Sequence, residues 1–240
     1  MESVEVLQNA AQSLNRALAG LRFSEPVTHV YNPMEYAWDV YRQYLEYYGN
    51  GYKKVIFVGM NPGPFGMVQT GIPFGEITVV RDWLCLRGDV KQPAVVNPKR
   101  PVDGFSCSRS EVSGKRLWGL FAERFTTPEA FFTEHFVANY CPLAFFASGR
   151  NITPDKLLKT EAEPVLAACD AHLKTLVEVM RPEWVLGVGA WAQKRIELAL
   201  GPQCPRKIGR ILHPSPASPL ANRGWASQAE SELKALGVWP

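Results

Sequence analysis

The sequence lacks the long apolar runs and the charged leader that mark membrane and secreted proteins. None of its uninterrupted apolar stretches approaches the roughly 18 residues that a membrane-spanning helix needs, although 46% of its 240 residues are hydrophobic. Residues 1–20 contain no basic region followed by an apolar core, as a secretory signal would. From these absences we expect a cytoplasmic protein, and the charged share of 20% is typical of a globular domain.

Cysteine and histidine are too few and too scattered to indicate a metal site. The five cysteines include no C-x-x-C pair, and only four histidines occur in the chain. Neither a disulfide framework nor a zinc or iron–sulfur pattern fits this spacing, and no cluster of carboxylates accompanies the histidines. We therefore expect free thiols, no metal ion and no cofactor.

Several catalytic signatures are also missing. The glycines of residues 59–66 match neither the dinucleotide-binding fingerprint nor the phosphate-binding loop, which ends in Gly-Lys-Ser/Thr. Residues 104–108, Gly-Phe-Ser-Cys-Ser, lack the second glycine of a hydrolase nucleophile elbow. The H-x-E and P-C-x-x-C elements of zinc deaminases do not occur. These gaps disfavour nucleotide-dependent, serine-hydrolase and deaminase chemistry.

What the sequence does contain is a stiff loop after a buried strand, within residues 55–76. Four apolar residues, Val55–Val58, predict the strand. The loop that follows combines two prolines, which fix φ, with two glycines, which reach conformations closed to other residues. In open α/β sheets, ligands bind at the carboxyl ends of strands. We infer that this loop holds a polar side chain in place, and the candidate is Asn61.

The order of apolar segments predicts one α/β domain over residues 1–240, in which residues 1–30 form an N-terminal helix and lead-in. Strand-like and helical segments alternate, which favours a mostly parallel four-stranded central sheet flanked by helices. The predicted strands are residues 55–58, 136–143, 183–188 and 207–212. The predicted helices are residues 4–22, 36–48, 76–86, 117–125, 158–180, 190–200 and 224–236.

The predicted helix over residues 36–48 is rich in tyrosine, which admits two interpretations. Its aromatic side chains could stack on nucleic-acid bases. Their helical spacing favours packing against the sheet instead, because aromatic residues that recur on one face of a helix usually face the core.

Positive charge is concentrated in two segments, although the net charge is only +3. Residues 81–120 contain eight Lys/Arg against four Asp/Glu, and residues 201–225 contain four Lys/Arg and no acid. Such a concentration suits a surface that binds a polyanion, but a solvated surface explains the composition equally well. The irregular stretch 87–114 carries hydroxyl and basic residues that suit phosphate contacts. A flexible surface loop is an equal alternative for it.

Three predicted strand ends carry a distinctive polar residue: Asn61, Asn139 and His213. Because the carboxyl ends of parallel strands converge, these side chains could face one ligand. Each residue alone is more often a structural hydrogen-bonding group. The loop that begins at His213, HPSPASPLANRGW, contains three prolines that enforce a rigid excursion. Such a loop is better suited to insertion into another molecule than to packing.

These motifs resemble those of the single-strand-selective monofunctional uracil-DNA glycosylases, within the uracil-DNA glycosylase superfamily. The stretches that carry the resemblance are GMNPGPFGMVQTGIPFGE at 59–76, NYCPL at 139–143 and HPSPASPLANRGW at 213–225. The linking stretch SEVSGKRLWG at 110–119 and the order of the elements are also similar, so the resemblance covers most of residues 30–236.

The resemblance implies hydrolysis of the N-glycosidic bond of uracil in single- and double-stranded DNA, which leaves an abasic site. It implies that Asn61 positions the attacking water and that His213 stabilises the departing uracil anion. Asn139 would hydrogen-bond the base edge while Phe74 stacks on the ring. An amide cannot act as a general base, so Asn61 can only orient the water. The further implied pocket residues are Met60, Gly63 and Met67.

Selectivity for the base follows from the same implied roles. The Asn139 amide can donate to uracil O4 and accept from N3–H, whereas cytosine presents the inverse pattern and would leave buried polar groups unsatisfied. Gly63 has no side chain, so we expect open room at C5 of the base. That room would admit 5-hydroxymethyluracil or related 5-substituted uracils.

The resemblance also implies a DNA interface without membrane contact. The loop after His213 would enter the gap left by the flipped nucleotide. Ala217 stands where family members commonly carry a large basic wedge residue, so insertion falls to Pro216, Leu220 or the loop as a whole.

We expect a monomer, in the nucleoid of a bacterium or the nucleus of a eukaryote. No lysine lies in these motifs, so no Schiff base and no strand cleavage are expected. The predicted DNA-binding residues are Pro214, Ser215, Pro216, Ala217, Ser218, Pro219, Leu220, Ser113, Lys115 and Arg116.

Two other functions are open on the sequence alone. A non-catalytic DNA-binding α/β protein would use the same basic segments but would release no base. A small-molecule hydrolase or nucleotide-binding enzyme would use the same crevice at the strand ends. It would not need positive charge beside both special loops.

Overall fold

The computed structural model describes residues 2–240, and this range contains nine α-helices and seven strands. No helix in it is both long and apolar enough to cross a membrane. The helices are α1 Glu2–Leu18, α2 Pro33–Tyr36, α3 Trp38–Tyr48, α4 Met67–Thr70, α5 Val112–Phe125, α6 Pro128–Glu134, α7 Lys159–Met180, α8 Ala190–Leu200 and α9 Trp225–Ala235. The strands are β1 His29–Tyr31, β2 Val55–Gly59, β3 His135–Asn139, β4 Ala144–Ala147, β5 Arg150–Ile152, β6 Trp184–Val188 and β7 Lys207–Ile211.

Four parallel strands form the central sheet in the order β3-β2-β6-β7, so the predicted fold class is confirmed. Every residue of β2 is buried, as its unbroken apolar run requires of a strand covered on both faces. In the register of the sheet, Gly59 lies opposite Asn139, and Val188 lies opposite Ile211. The carboxyl ends of β2, β3 and β7 therefore lie at one edge of the sheet.

A second, antiparallel sheet of three short strands, in the order β1-β4-β5, was not predicted. The predicted strand over residues 136–143 in fact ends at Asn139, and β4 begins only at Ala144. The partner of β4 is β1, which is distant in the chain, and the Thr28 hydroxyl adds a hydrogen bond to the Phe146 carbonyl at 3.0 Å. Strands of three or four residues are too short to show an alternating pattern.

The helix predictions at residues 36–48 and 76–86 had the right place but the wrong form. The first is interrupted at Ala37, which separates α2 from α3. The second contains a π-helical segment, Val79–Trp83. Helix α6 was not predicted, although the sequence has a local signal at its start, Thr127 followed by proline. The Thr127 hydroxyl caps the helix by accepting a hydrogen bond from the Ala130 N–H at 3.3 Å.

Three of the four tyrosines of α3 are buried, as their spacing predicted, whereas Tyr47 is exposed. Tyr41 and Tyr44 are buried, and the Tyr44 hydroxyl donates to the Val137 carbonyl at 2.8 Å. The ring of Tyr48 stacks on Phe132 with the centroids 4.1 Å apart. The base-stacking interpretation is therefore wrong for these buried, regularly spaced tyrosines.

Candidate active site

A cavity of about 580 Å³ opens at the edge where β2, β3 and β7 end. Asn61, Asn139 and His213 all line it, so the three polar strand ends converge as predicted. The other predicted residues in its wall are Met60, Gly63, Phe74, Ser113, Ser215 and Pro216.

One backbone hydrogen bond orients the Asn61 amide. Its Nδ2 donates to the Leu143 carbonyl, 3.2 Å away. Because a carbonyl oxygen only accepts, this contact fixes the NH₂ group on the Leu143 side. The Oδ1 atom of Asn61 is thereby left available to accept a hydrogen bond from a water molecule in the cavity.

The Asn139 amide packs against Gly59, whose lack of a side chain makes room for it. A Cβ on Gly59 would lie 2.3 Å from the Asn139 Oδ1 and 2.5 Å from the Phe74 ring, so only glycine fits beneath them. The Asn139 Nδ2 donates to the Met67 sulfur at 3.2 Å, which is a weak acceptor. Its Oδ1 is buried and has no partner within the described chain. Such an acceptor costs free energy unless a ligand donates to it.

Phe74 is held as a wall of the cavity by contacts from α5. Its φ of 54° is left-handed, which costs of order 1–3 kcal/mol for a residue with a side chain. Gly114 packs so closely that a Cβ there would lie 2.0 Å from the Phe74 carbonyl oxygen. The Trp118 indole donates to the Pro73 carbonyl at 3.2 Å. The helix therefore holds the backbone of Pro73 and Phe74 in place. The centroid of the Phe74 ring lies 6.0 Å from that of His213.

Burial sets the charge state of His213, and its own loop sets which ring nitrogen carries the proton. Partial burial lowers the pKa of His213, so the imidazole is neutral at physiological pH. The Ser215 backbone N–H donates to Nδ1 at 3.1 Å, which places the single ring proton on Nε2. His213 is therefore a neutral hydrogen-bond donor at the cavity wall.

The loop that follows His213 is tied at its base and exposed at its tip. Arg116 of α5 donates to the Pro214 carbonyl at 3.0 Å and to the Asn222 side chain at 2.9 Å. Asn222 in turn donates to the Pro216 carbonyl at 2.8 Å. Four predicted wedge residues lie outside the cavity wall, on the surface of this loop: Ala217, Ser218, Pro219 and Leu220, of which Leu220 is 61% exposed.

Four other predicted site residues lie outside the cavity wall, and one of them, Pro214, is buried at the base of the loop rather than exposed to DNA. Met67 is buried behind it and contacts Asn139 through its sulfur. Lys115 is exposed on α5, whereas Arg116 directs two donors to the neighbouring loop. Because α5 begins at Val112, Ser113 belongs to its first turn rather than to the predicted irregular stretch.

Glu111 is a wall residue that sequence reasoning missed. Its carboxylate fills the space beside Gly63, since a Cβ on Gly63 would lie 1.8 Å from Oε1 of Glu111. The prediction of open room beside Gly63 is therefore wrong. Burial and the negative charge of Glu76 raise the pKa of Glu111 to about 7. A single glutamate in a polar stretch carries no local signal that it is buried.

Phe65 is a second missed wall residue, and the guanidinium groups of two arginines lie near its ring. The guanidinium of Arg109 is 3.8 Å from the Phe65 ring centroid, and that of Arg100 is 5.3 Å from it. Both distances suit cation–π contacts. The positive charge of residues 81–120 is therefore brought in part to the mouth of the cavity.

A polar network fixes the end of β3 next to Asn139. The Tyr140 hydroxyl donates to Asp170 at 2.6 Å, and Arg195 donates to the two Asp170 oxygens at 2.7 and 2.8 Å. These side chains are largely buried, where hydrogen bonds of charged groups are stronger than in water. No group of three or more metal-ligating side chains occurs between residues 2 and 240.

Comparison with known proteins places this site in a family, and the resemblance of the motifs is confirmed. Residues 46–234 match the model of the Uracil DNA glycosylase superfamily. The chain is 51% identical over 229 residues to the single-strand selective monofunctional uracil DNA glycosylase of Bos taurus, with 95% of this chain and 84% of the relative covered. It is 49% identical to that of Rattus norvegicus, with 95% and 82% covered. The solved structure of wild-type SMUG2 from Pedobacter heparinus shares the fold, with a TM-score of 0.69, 17% identity and 97% of both chains covered. The chain belongs to the uracil-DNA glycosylase superfamily.

Proposed function

We propose that this protein is a monofunctional glycosylase that hydrolyses the N-glycosidic bond of uracil in DNA. The observation that carries the proposal is the convergence of Asn61, Asn139 and His213 on one cavity. A protein contact sets the hydrogen-bonding direction of each of the three side chains. The names of the curated relatives support the same reaction.

The chemistry follows from what each group can supply. The C1′–N1 bond breaks with its electron pair moving to the base, which leaves as a uracil anion with charge on O2. A donor at His213 Nε2 stabilises that charge, and loss of one such preorganised donor typically costs about 10²–10³ in rate. A water held at Asn61 Oδ1 adds to C1′ and loses one proton to the solvent, which balances the negative charge of the departing uracil anion. No strong base is needed, because the sugar is nearly cationic when the water arrives.

Recognition of the base uses the two residues that pack on Gly59. The unpaired Oδ1 of Asn139 accepts from uracil N3–H, and the NH₂ group donates to O4. The ring of Phe74 stacks on the base. Cytosine presents the opposite hydrogen-bonding pattern at those positions, which would leave buried groups unsatisfied at about 1–3 kcal/mol each.

Contact with DNA falls to the exposed loop and the basic segments. Extraction of a base from a duplex costs a few kcal/mol, and least for unpaired bases. In our proposal residues 214–220 fill the gap that the flipped nucleotide leaves, and Lys115 and Arg109 contact phosphates. Binding to single- and double-stranded DNA is then strongly dependent on salt. The enzyme acts as a monomer on chromosomal DNA, in the nucleoid or the nucleus, and leaves an abasic site.

The proposal is tested with a single-stranded oligonucleotide that contains one uracil. Incubation with the protein should yield strand cleavage only after alkali treatment, because a monofunctional glycosylase leaves the abasic site intact. Cleavage without alkali would indicate lyase activity, and DNA binding without any cleavage would indicate a non-catalytic DNA-binding protein. The Asn61→Ala variant is the control for contaminating activity, and the matched duplex measures the strand preference.

A further inference from the structure

The cavity is larger than a single base requires. Its volume is about 580 Å³, whereas a pyrimidine base takes no more than about 240 Å³ if each heavy atom is given the volume of a water in the liquid. The residues assigned above to the base and the sugar also form only part of the wall. Among the wall residues without a role in that assignment are Phe65, Ser110, Asn151 and Thr153, and Arg109 lies beside Phe65.

The strand β5 reaches this cavity from the side opposite to the loop after His213. In the sheet order β3-β2-β6-β7, that loop follows β7 at one edge, whereas β3 forms the other edge and leads on to β4 and β5. Asn151 of β5 and Thr153, two residues on in an extended chain, both line the cavity. A DNA strand that crosses the cavity therefore meets the loop on one side of the uracil and β5 on the other.

Phe65 and Arg109 form a stacked pair in this part of the wall. The guanidinium carbon of Arg109 lies 3.8 Å from the centroid of the Phe65 ring. Phe65 is half-buried and Arg109 is exposed, so the guanidinium is the outer layer of the pair. Arg100 also lies near this ring, and its Nε donates to the Gly149 carbonyl at 2.7 Å. Arg100 thereby links Phe65 to the turn between β4 and β5.

The two arginines near Phe65 have no acidic partner within the described chain. None of the ion pairs between residues 2 and 240 includes Arg100 or Arg109. Proteins that bind single strands stack unpaired bases on aromatic rings and on arginine guanidinium planes. A guanidinium can stack through its face while its N–H groups contact a phosphate. Stacking is therefore compatible with the phosphate contact proposed above for Arg109.

We propose that Phe65 and Arg109 form a subsite for the nucleotide next to the uracil, on the side away from the loop after His213. The base of that nucleotide stacks on the Arg109 guanidinium, which the Phe65 ring supports. Asn151 and Thr153 offer hydrogen-bond donors to its phosphate. The inference rests on the proposed function and adds a second nucleotide to the substrate that this site recognises.

The subsite favours a neighbouring base that is unpaired. In a duplex that base is stacked and paired, so it reaches Arg109 only at the cost of being extracted as well. In a single strand it can turn onto Arg109 without breaking a base pair. We therefore expect the subsite to contribute to the processing of single strands and to contribute little on matched duplexes.

The test removes the neighbouring base from the substrate. Single-stranded oligonucleotides carry one uracil whose 5′ or 3′ neighbour is either a normal nucleotide or a propanediol spacer, which keeps the phosphates but has no base. The readout is kcat/KM for uracil release. In wild type, the spacer on one side should lower kcat/KM about tenfold, and the spacer on the other side should lower it less than about threefold.

Two variants remove the stacking pair from the protein. Phe65→Leu keeps an apolar side chain without the aromatic ring, and Arg109→Lys keeps the charge without the planar group. Each should lower kcat/KM for the normal single strand about five- to tenfold and should abolish the further loss caused by the spacer. The salt dependence of binding should be unchanged in Arg109→Lys, because its charge is retained. On the matched duplex, both variants should stay within about threefold of wild type.

Tyr47→Leu is the matched control, because Tyr47 is an exposed aromatic residue of α3 outside the cavity wall. It should keep the wild-type response to the spacer. If Phe65→Leu is insoluble, Arg109→Lys, at an exposed position, applies the same test. Equal tolerance of the spacer on both sides in wild type would overturn the inference. An unchanged spacer effect in the variants, or an equal loss on single strand and duplex, would also overturn it. A wild-type protein that releases no uracil from the normal oligonucleotide would instead refute the proposed function.

Discussion

The two loops that form the cavity are built in opposite ways. The first, residues 59–67, is crowded: Gly59 and Gly63 have atoms of other residues where their side chains would be, and the Asn61 amide is held by a backbone carbonyl. The second, residues 213–224, is anchored by Arg116 at its base but exposed from Pro216 to Leu220, apart from the half-buried Ser218. The first loop can therefore fix atoms for chemistry, whereas the second can adapt to a partner.

The two loops also differ in the unfavourable free energy that their conformations and buried polar groups carry. The surroundings of the first loop include a left-handed Phe74 and a buried carboxyl group, both unfavourable in isolation. The exposed part of the second loop carries no such group. Strain and unsatisfied groups therefore concentrate where the base and the sugar bind, which is where preorganisation contributes to rate.

The largest effect on the rate is expected for His213, the first residue of the second loop. His213→Ala should lower kcat for uracil release by about 10²–10³, because it removes the donor that stabilises the leaving group. Affinity for uracil-containing DNA should change by less than about threefold, since phosphate contacts dominate binding. Single-turnover kinetics and fluorescence anisotropy measure the two quantities. The control is Leu198→Ala, at an exposed position of α8 away from both loops, which should leave both unchanged. Turnover near wild type in His213→Ala would remove this residue from the mechanism.

The unfavourable burial of the Glu111 carboxyl group against the first loop can be measured as a dependence of the free energy of unfolding on pH. The pKa of Glu111 in the folded protein is about 7, above its ordinary value of 4.5, so the folded state retains a proton that the unfolded state loses. This contribution to stability is fully present below pH 4.5 and is lost as the pH rises through 7.

Glu111→Gln should therefore raise the free energy of unfolding at pH 8 by about 1–3 kcal/mol. It should have little effect at pH 4. Urea denaturation at both pH values measures the difference. An effect of equal size at the two pH values would mean that ionisation of Glu111 is not its cause.

Detaching the second loop should weaken binding without removing the chemistry. Arg116→Ala eliminates two charge-assisted hydrogen bonds to the loop and should weaken binding to abasic duplex DNA about tenfold. Its neighbour Lys115 is exposed, so Lys115→Ala should instead lower the slope of log K against log salt by about 1. Anisotropy titrations over a series of salt concentrations separate the two effects. Identical salt slopes and losses for both variants would show that Arg116 acts only through its charge.

The smallest effect is expected at the exposed tip of the second loop. Ala217→Arg should tighten binding to abasic duplex DNA about three- to tenfold at low salt and raise the salt slope by about 1. Ala217→Gln is similar in bulk but carries no charge, so it serves as the control. An arginine that gains nothing over glutamine would show that the tip does not approach the phosphates.

The central sheet and three polar side chains of the site could be predicted because their signals are local. An apolar run such as Val55–Val58, followed by glycine and proline, defines a buried strand and its carboxyl end within a few residues. The small sheet and Glu111 depend on contacts between distant segments. Nothing near Glu111 in the sequence shows that its carboxyl group lies against Gly63, and nothing near β4 shows that β1 is its partner.

The hydrogen bond from Asn61 to Leu143 has a consequence for where harmful substitutions should arise. Leu143 immediately precedes β4, so the acceptor that orients the Asn61 amide adjoins the small antiparallel sheet. That sheet carries no reacting group of its own, yet a displacement of β4 against β1 would rotate the Asn61 amide. Substitutions in the small sheet should therefore appear in a screen as catalytic defects in a folded protein.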